Sequence, residues 1–122
     1  MTTSTKSLRE QILEINDIKS ETIKIPEWND LEVQVKSITA GQRSAIIDKC
    51  MNKKSGDVDT NAFYYQTVIA CAADPSTGEP LFTEADISVL KTKSSSALDA
   101  ITNTANRING LGEAEVTSME KN

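Results

Sequence analysis

The sequence predicts an α+β fold, mainly α: an N-terminal helix and a β-hairpin, followed by a bundle of about four helices. Two observations carry this. Apolar residues recur at helical spacing over most of the 122 residues, and near the N-terminus the period drops to two for a pair of short runs. Helix-start and turn chemistry then punctuates the rest.

In order along the chain, Leu8, Ile12 and Ile15 fall at i, i+4 and i+7, with Arg9, Glu10, Gln11 and Glu14 opposite. This is an amphipathic helix over about residues 6–17, too short to be stable alone, so it must dock on its own domain or on a partner. Thr22-Ile23-Lys24-Ile25 and Leu31-Glu32-Val33-Gln34-Val35-Lys36 alternate and read as strands, with Leu31, Val33 and Val35 on one face. Pro26 stops the first run, Asn29-Asp30 turns the chain, and Trp28 sits in the turn as a lid over the end of the hairpin.

Thr39 and Gln42 have capping-box spacing and open a helix whose buried stripe is Ile46, Ile47, Cys50 and Met51. The segment 52–57, NKKSGD, stops it. Asp59 or Thr60 starts the next helix, which continues to about Ala73. It is apolar on most sides, through Tyr64, Tyr65, Val68, Ile69 and Ala72, and so is expected at the centre of the core. After the turn-rich loop 74–80, Leu81 and Phe82 re-enter the core. Thr83, with Asp86 three residues on, caps a short helix containing Ala85, Ile87 and Leu90. Leu98, Ile101, Ala105 and Ile108 stripe the last helix, which Asn109-Gly110 ends. The division is an arm at 1–19, a domain at 20–110 and a flexible acidic tail at 111–122.

Composition excludes several functions. The chain has no histidine, which removes Ser-His-Asp and Cys-His catalysis and most zinc sites. Asp57 and Asp59 beside Gly56 echo a calcium loop, but the further oxygen ligands and closing Glu are missing, and helix capping explains them better. No Gly-rich phosphate loop is present. No catalytic, metal-ligating or cofactor-binding residue and no cofactor is expected, and the chain is expected not to be an enzyme. A net charge of −5 without a basic block argues against nucleic acid and against an anionic membrane as partners. Cys50 and Cys71 lie in predicted helices and read as reduced thiols in a cytosolic protein. What remains is binding: through open hairpin edges, through the amphipathic helix, which could swap onto another subunit, or through the acidic tail. With five aromatic residues, the candidates for a partner groove are Trp28, Tyr64, Tyr65 and Phe82, each equally suited to the core; Trp28 is the favoured surface contact.

Four stretches also resemble the tail assembly chaperones of long-tailed bacteriophages, including those of defective Bacillus prophages. They are IKIPEWNDLEVQVKSIT (23–39), TAGQRSAII (39–47), VIACAADPSTGEPLFTEADISVL (68–90) and ALDAITNTANRINGLG with the short tail after it (97–122). The likeness covers about residues 20–122, and the segment before it departs from the family pattern. The resemblance implies a non-catalytic chaperone that coats the tape-measure protein during tail assembly, recruits tail-tube protein and forms a homo-oligomer. It would act in the host cytoplasm and be absent from the mature virion. In many relatives a ribosomal frameshift adds a C-terminally extended product. The alternative is a structural or adaptor protein of the head-tail junction or tail.

Overall fold

A computed structural model describes residues 6–110. The expected acidic tail at 111–122 and the first five residues lie outside the described residues. The elements run α1 (Leu8–Glu14), β1 (Ser20–Ile25), β2 (Leu31–Lys36), α2 (Ala40–Cys50), α3 (Thr60–Cys71), β3 (Ala72–Ala73), α4 (Ile87–Leu90) and α5 (Ser95–Ile108). The class is α+β with helix predominating, as the sequence predicts.

The hairpin pairs in continuous antiparallel register from Ser20↔Lys36 to Ile25↔Leu31. Pro26–Trp28 forms a single 3-10 turn, and Asn29 and Asp30 follow at φ 57° and 59°. Asn and Asp are among the non-glycine residues that tolerate this left-handed region best, so the turn chemistry is met locally. Ile25, Val33 and Val35 are buried on the inner face. Leu31, expected with them, is 62% exposed, because its row runs past the end of the core.

A third strand was not legible. The helix expected to reach Ala73 stops at Cys71, and Ala72–Ala73 turn extended and pair with β2 at Val35 and Gln34. The loop behind them explains the change. The Asp74 N–H donates to the Glu79 carbonyl at 2.9 Å, Gly78 turns at φ 76°, and the Leu81 N–H returns to the Ala72 carbonyl at 3.1 Å. Backbone groups that a longer helix would have used are thus satisfied by the sheet and the returning chain. The sheet order is β1-β2-β3, which leaves β1 on an edge.

One face of this sheet is covered by α5 and α3, and α2 packs on α3. The most buried helix is α5, which buries Ala97, Leu98, Ile101, Thr102, Thr104 and Ala105. The expected centre, α3, buries Thr67, Val68 and Cys71 and holds its aromatic residues half-exposed. Each fully buried Ile, Val or Leu side chain of this cluster stabilises the fold by about 1.5–3 kcal/mol. Small residues, Ala72, Ala97 and Ala105, let the backbones approach closely.

Both predicted caps are formed. The Gln42 N–H donates to Thr39 Oγ1 at 3.1 Å while the Thr39 N–H donates to Gln42 Oε1 at 2.8 Å. The Thr83 N–H donates to Asp86 Oδ2 at 2.8 Å. Asp59 accepts from the Asn61 and Ala62 N–H groups at the start of α3, so its role is capping. Two further residues expected in the core, Met51 and Leu81, lie outside it, and Ala85, expected in a helix, lies in a turn. Met51 is extended, bridges to Val58 and is exposed, because α2 ends at Cys50. Leu81 is exposed while its neighbour Phe82 packs on the core, and Ala85 is exposed in the 3-10 turn before α4. Gly110 follows α5 at φ 83°, a conformation only glycine adopts without strain.

Two substitutions separate core from arm. Ile101→Ala is expected to cost about 2–5 kcal/mol in urea unfolding, whereas Ile12→Ala in α1 changes stability by less than about 0.5 kcal/mol, because its side chain is already in water.

Candidate interaction surface

The arm comes first. Ser7 Oγ accepts from the Glu10 N–H at 3.1 Å and caps α1, and Lys6 pairs with Glu14 across it. Ile15 is extended, so the helix spans Leu8–Glu14 rather than 6–17. None of its residues is buried. Docking on its own domain, one of the two fates the sequence allows, is therefore not what this structure shows. Leu8, Leu13, Ile12 and Ile15 stand 72%, 66%, 58% and 62% exposed, a concentration of apolar surface that an isolated seven-residue helix does not sustain by propensity.

The arm leaves the domain beside a shallow open cleft of about 300 Å³ lined by Ile18, Ser37, Ile38, Ala40, Ile108 and Asn109. Asn109 builds its floor: its Nδ2 donates to the Ala105 carbonyl at 2.8 Å and its Oδ1 accepts from the Ile38 N–H at 3.0 Å. Beyond this point β1 presents its outer edge.

Trp28, Tyr64, Tyr65 and Phe82 are all half-buried and packed against the one core cluster, so each keeps part of its ring accessible. Trp28 lies in the hairpin turn, which is tied to the start of α5 by a hydrogen bond from Ser96 Oγ to the Glu27 carboxylate. Tyr64 and Tyr65 meet edge to face, ring centroids 5.3 Å apart at 85°. Lys91 Nζ stands 5.6 Å from the centroid of the Tyr65 ring. Tyr64 donates its hydroxyl to Asp99 Oδ1 at 2.5 Å, and burial together with that carboxylate pushes its pKa well above the usual phenol value. The exposed apolar residues Leu31 and Val89 did not stand out in the sequence, where both fit helix or strand periods; only the outline of the core shows them to be outside.

Titratable groups are arranged for structure. The carboxyls of Glu27 and Glu84 are held low, Glu27 by Ser96 and Glu84 by Lys49. Neither is raised in the manner of a general acid. Burial pushes the Cys71 thiol up to about 11, and burial with Asp59 nearby raises Cys50, so both are poor nucleophiles at neutral pH. Among the described residues no three His, Cys, Asp or Glu side chains form a metal-holding group, and no helix is long and apolar enough to cross a membrane.

The described residues form a small α+β domain with β1 on a sheet edge and an apolar arm in which no residue is buried. No family model and no curated protein matches the sequence. The fold is similar to that of the bacteriophage HK97 tail assembly chaperone, at a TM-score of 0.60 and 13% identity, over 86% of this chain and 96% of that one. The chain thus has a phage tail-chaperone-like fold.

The Tyr64 hydroxyl gives a pH signature. Below pH about 10 the phenol is protonated in folded and unfolded chains alike, and its hydrogen bond stabilises the fold in full. At higher pH the unfolded chain ionises first, so stability falls. Tyr64→Phe removes this dependence: thermal midpoints followed by circular dichroism should drop less steeply above that pH in the variant than in the parent.

Proposed function

We propose that the protein is a phage tail assembly chaperone. It binds the tape-measure protein, keeps it soluble in the host cytoplasm until the tail is built, recruits tail-tube subunits, self-associates, and leaves before the virion matures. The observation that carries this reading is the fold likeness to the HK97 chaperone across nearly the whole of both chains. The exposed apolar residues of α1 and the accessible parts of Trp28, Tyr64, Tyr65 and Phe82 support it. A tape-measure protein is long, helical and apolar, and aggregates when unassembled. A protein that shields it needs sticky, reversible surface and a soluble body, and no chemistry. Net charge of −5 supplies the solubility.

Co-expression tests it. A co-expressed phage tape-measure protein should move from the pellet to the supernatant in the presence of the chain; unchanged solubility would sink the chaperone reading. Ile12→Asp with Ile15→Asp should reduce the soluble client several-fold while the far-ultraviolet spectrum of the chaperone stays unchanged. Mass spectrometry of purified particles separates the alternative: a head-tail or tail adaptor stays in the virion, a chaperone does not. Trp28→Ala should weaken client or self-contact and retain helix content, whereas a loss of helical signal would assign Trp28 to the core alone.

A further inference from the structure

The outer edge of β1 is self-complementary. Along β1 the groups of Lys19 and Ile25 turn toward β2: the Ser37 N–H donates to the Lys19 carbonyl at 2.8 Å and the Asp30 N–H to the Ile25 carbonyl at 3.1 Å. The register between them is unbroken, so the odd-numbered residues bond β2 and the backbone groups of Ser20, Thr22 and Lys24 point outward. Among the described residues, no backbone hydrogen bond outside the sheet reaches these three. Their side chains are exposed as well, and Ile23, on the core side of the same edge, is only half covered.

We propose that two copies of the chain join through this edge, β1 against β1, about a two-fold axis at Thr22. The symmetry is restrictive. Two sheets that continue one another keep their faces, so residues that oppose each other have the same parity. Only groups that already point outward can form the new hydrogen bonds. With Thr22 opposite Thr22 of the second copy, Ser20 falls opposite Lys24 and Lys24 opposite Ser20, and every outward N–H and C=O of the strand finds a partner. Moving the axis to Ile23 leaves Ser20 without one. The Thr22 register also puts no like charges opposite each other: Lys24 faces Ser20, and Glu21 faces Ile23. A threonine pair on the axis is a favourable cross-strand contact. The antiparallel arrangement carries each arm past the far end of the other copy's β1, toward the Pro26–Trp28 turn and the exposed Leu31. That is where apolar surface awaits the bare residues of α1. Lys24, the type of residue that usually discourages edge pairing, lies opposite a serine hydroxyl and clear of a second lysine.

This deepens the self-association included in the proposed function, but it is read on the isolated chain and needs no client. A failure here leaves the client-solubility result untouched. Sedimentation of the purified full chain should show a dimer. Thr22→Cys places two thiols on the axis, at Cα atoms about 5.5 Å apart, and mild oxidation should link them into a covalent dimer. Glu32→Cys on β2, away from the edge, should stay monomeric on the same gel. The native Cys50 and Cys71 are buried and do not compete. Thr22→Pro removes an outward N–H and no bond to β2, so the fold survives as edge strands tolerate proline. It should weaken the dimer by at least about tenfold. A monomer across the sedimentation range, a dimer that the Thr22→Pro chain retains, or a Thr22→Cys chain that links no faster than Glu32→Cys would each overturn the proposal.

Discussion

The structure depends on one contact: the apolar stripe of α5 laid across the inner face of the hairpin. A two-stranded sheet is marginal in water by itself, and a single amphipathic helix fares no better. Ile25, Val33 and Val35 from the strands meet Leu98, Ile101 and Ala105 from the helix, and Val68 and Cys71 of α3 close the cluster. Alanines at Ala97 and Ala105 set the distance, since a larger side chain there would hold helix and sheet apart. The hydrogen bonds at the periphery, Arg107 to Glu21 at 2.8 Å and Asn109 to the Ile38 N–H, orient α5 on the sheet without supplying the bulk of its stability.

From this contact the working surface follows. Once α5 and α3 cover one face and β3 pairs with β2, β1 is left as the open edge. The arm is continuous with that strand, so the apolar helix and the unpaired backbone lie on one continuous run of chain. A protein of this size with so few aromatic residues spends most of its large side chains on its core. The half-buried placement of Trp28, Tyr64, Tyr65 and Phe82 is the compromise: each packs against the cluster and keeps part of its surface accessible. The perturbed groups act in the same structural sense: Glu27 and Glu84 hold loops to helices, and Tyr64 ties α3 to α5 through Asp99.

Much of this was legible in residues and spacing. The Thr39–Gln42 and Thr83–Asp86 boxes, the alternation at 31–36 and the stripe of α5 each depend on neighbours within a few positions, and each forms where the local pattern places it. The candidate aromatic residues were legible as residues, but their mixed burial was not. A ring at a helical a-position looks the same whether it fills the core or rims it. The short β3 was invisible because two alanines have no period, and their strand state is imposed by β2 and the returning loop. Met51, Leu81 and Leu31 have the pattern of core residues and lie outside the core, because apolar character states a preference for burial and cannot say where the core stops.

By itself, then, the sequence determined what local chemistry determines: the class, the order of helices and strands, the caps and turns, and the absence of histidine chemistry. The tertiary structure alone decided which helix is central, that a third strand exists, and that the arm stands away from the body. Those outcomes depend on pairing between residues far apart along the chain, and periodicity marks which face is apolar without naming what will cover it.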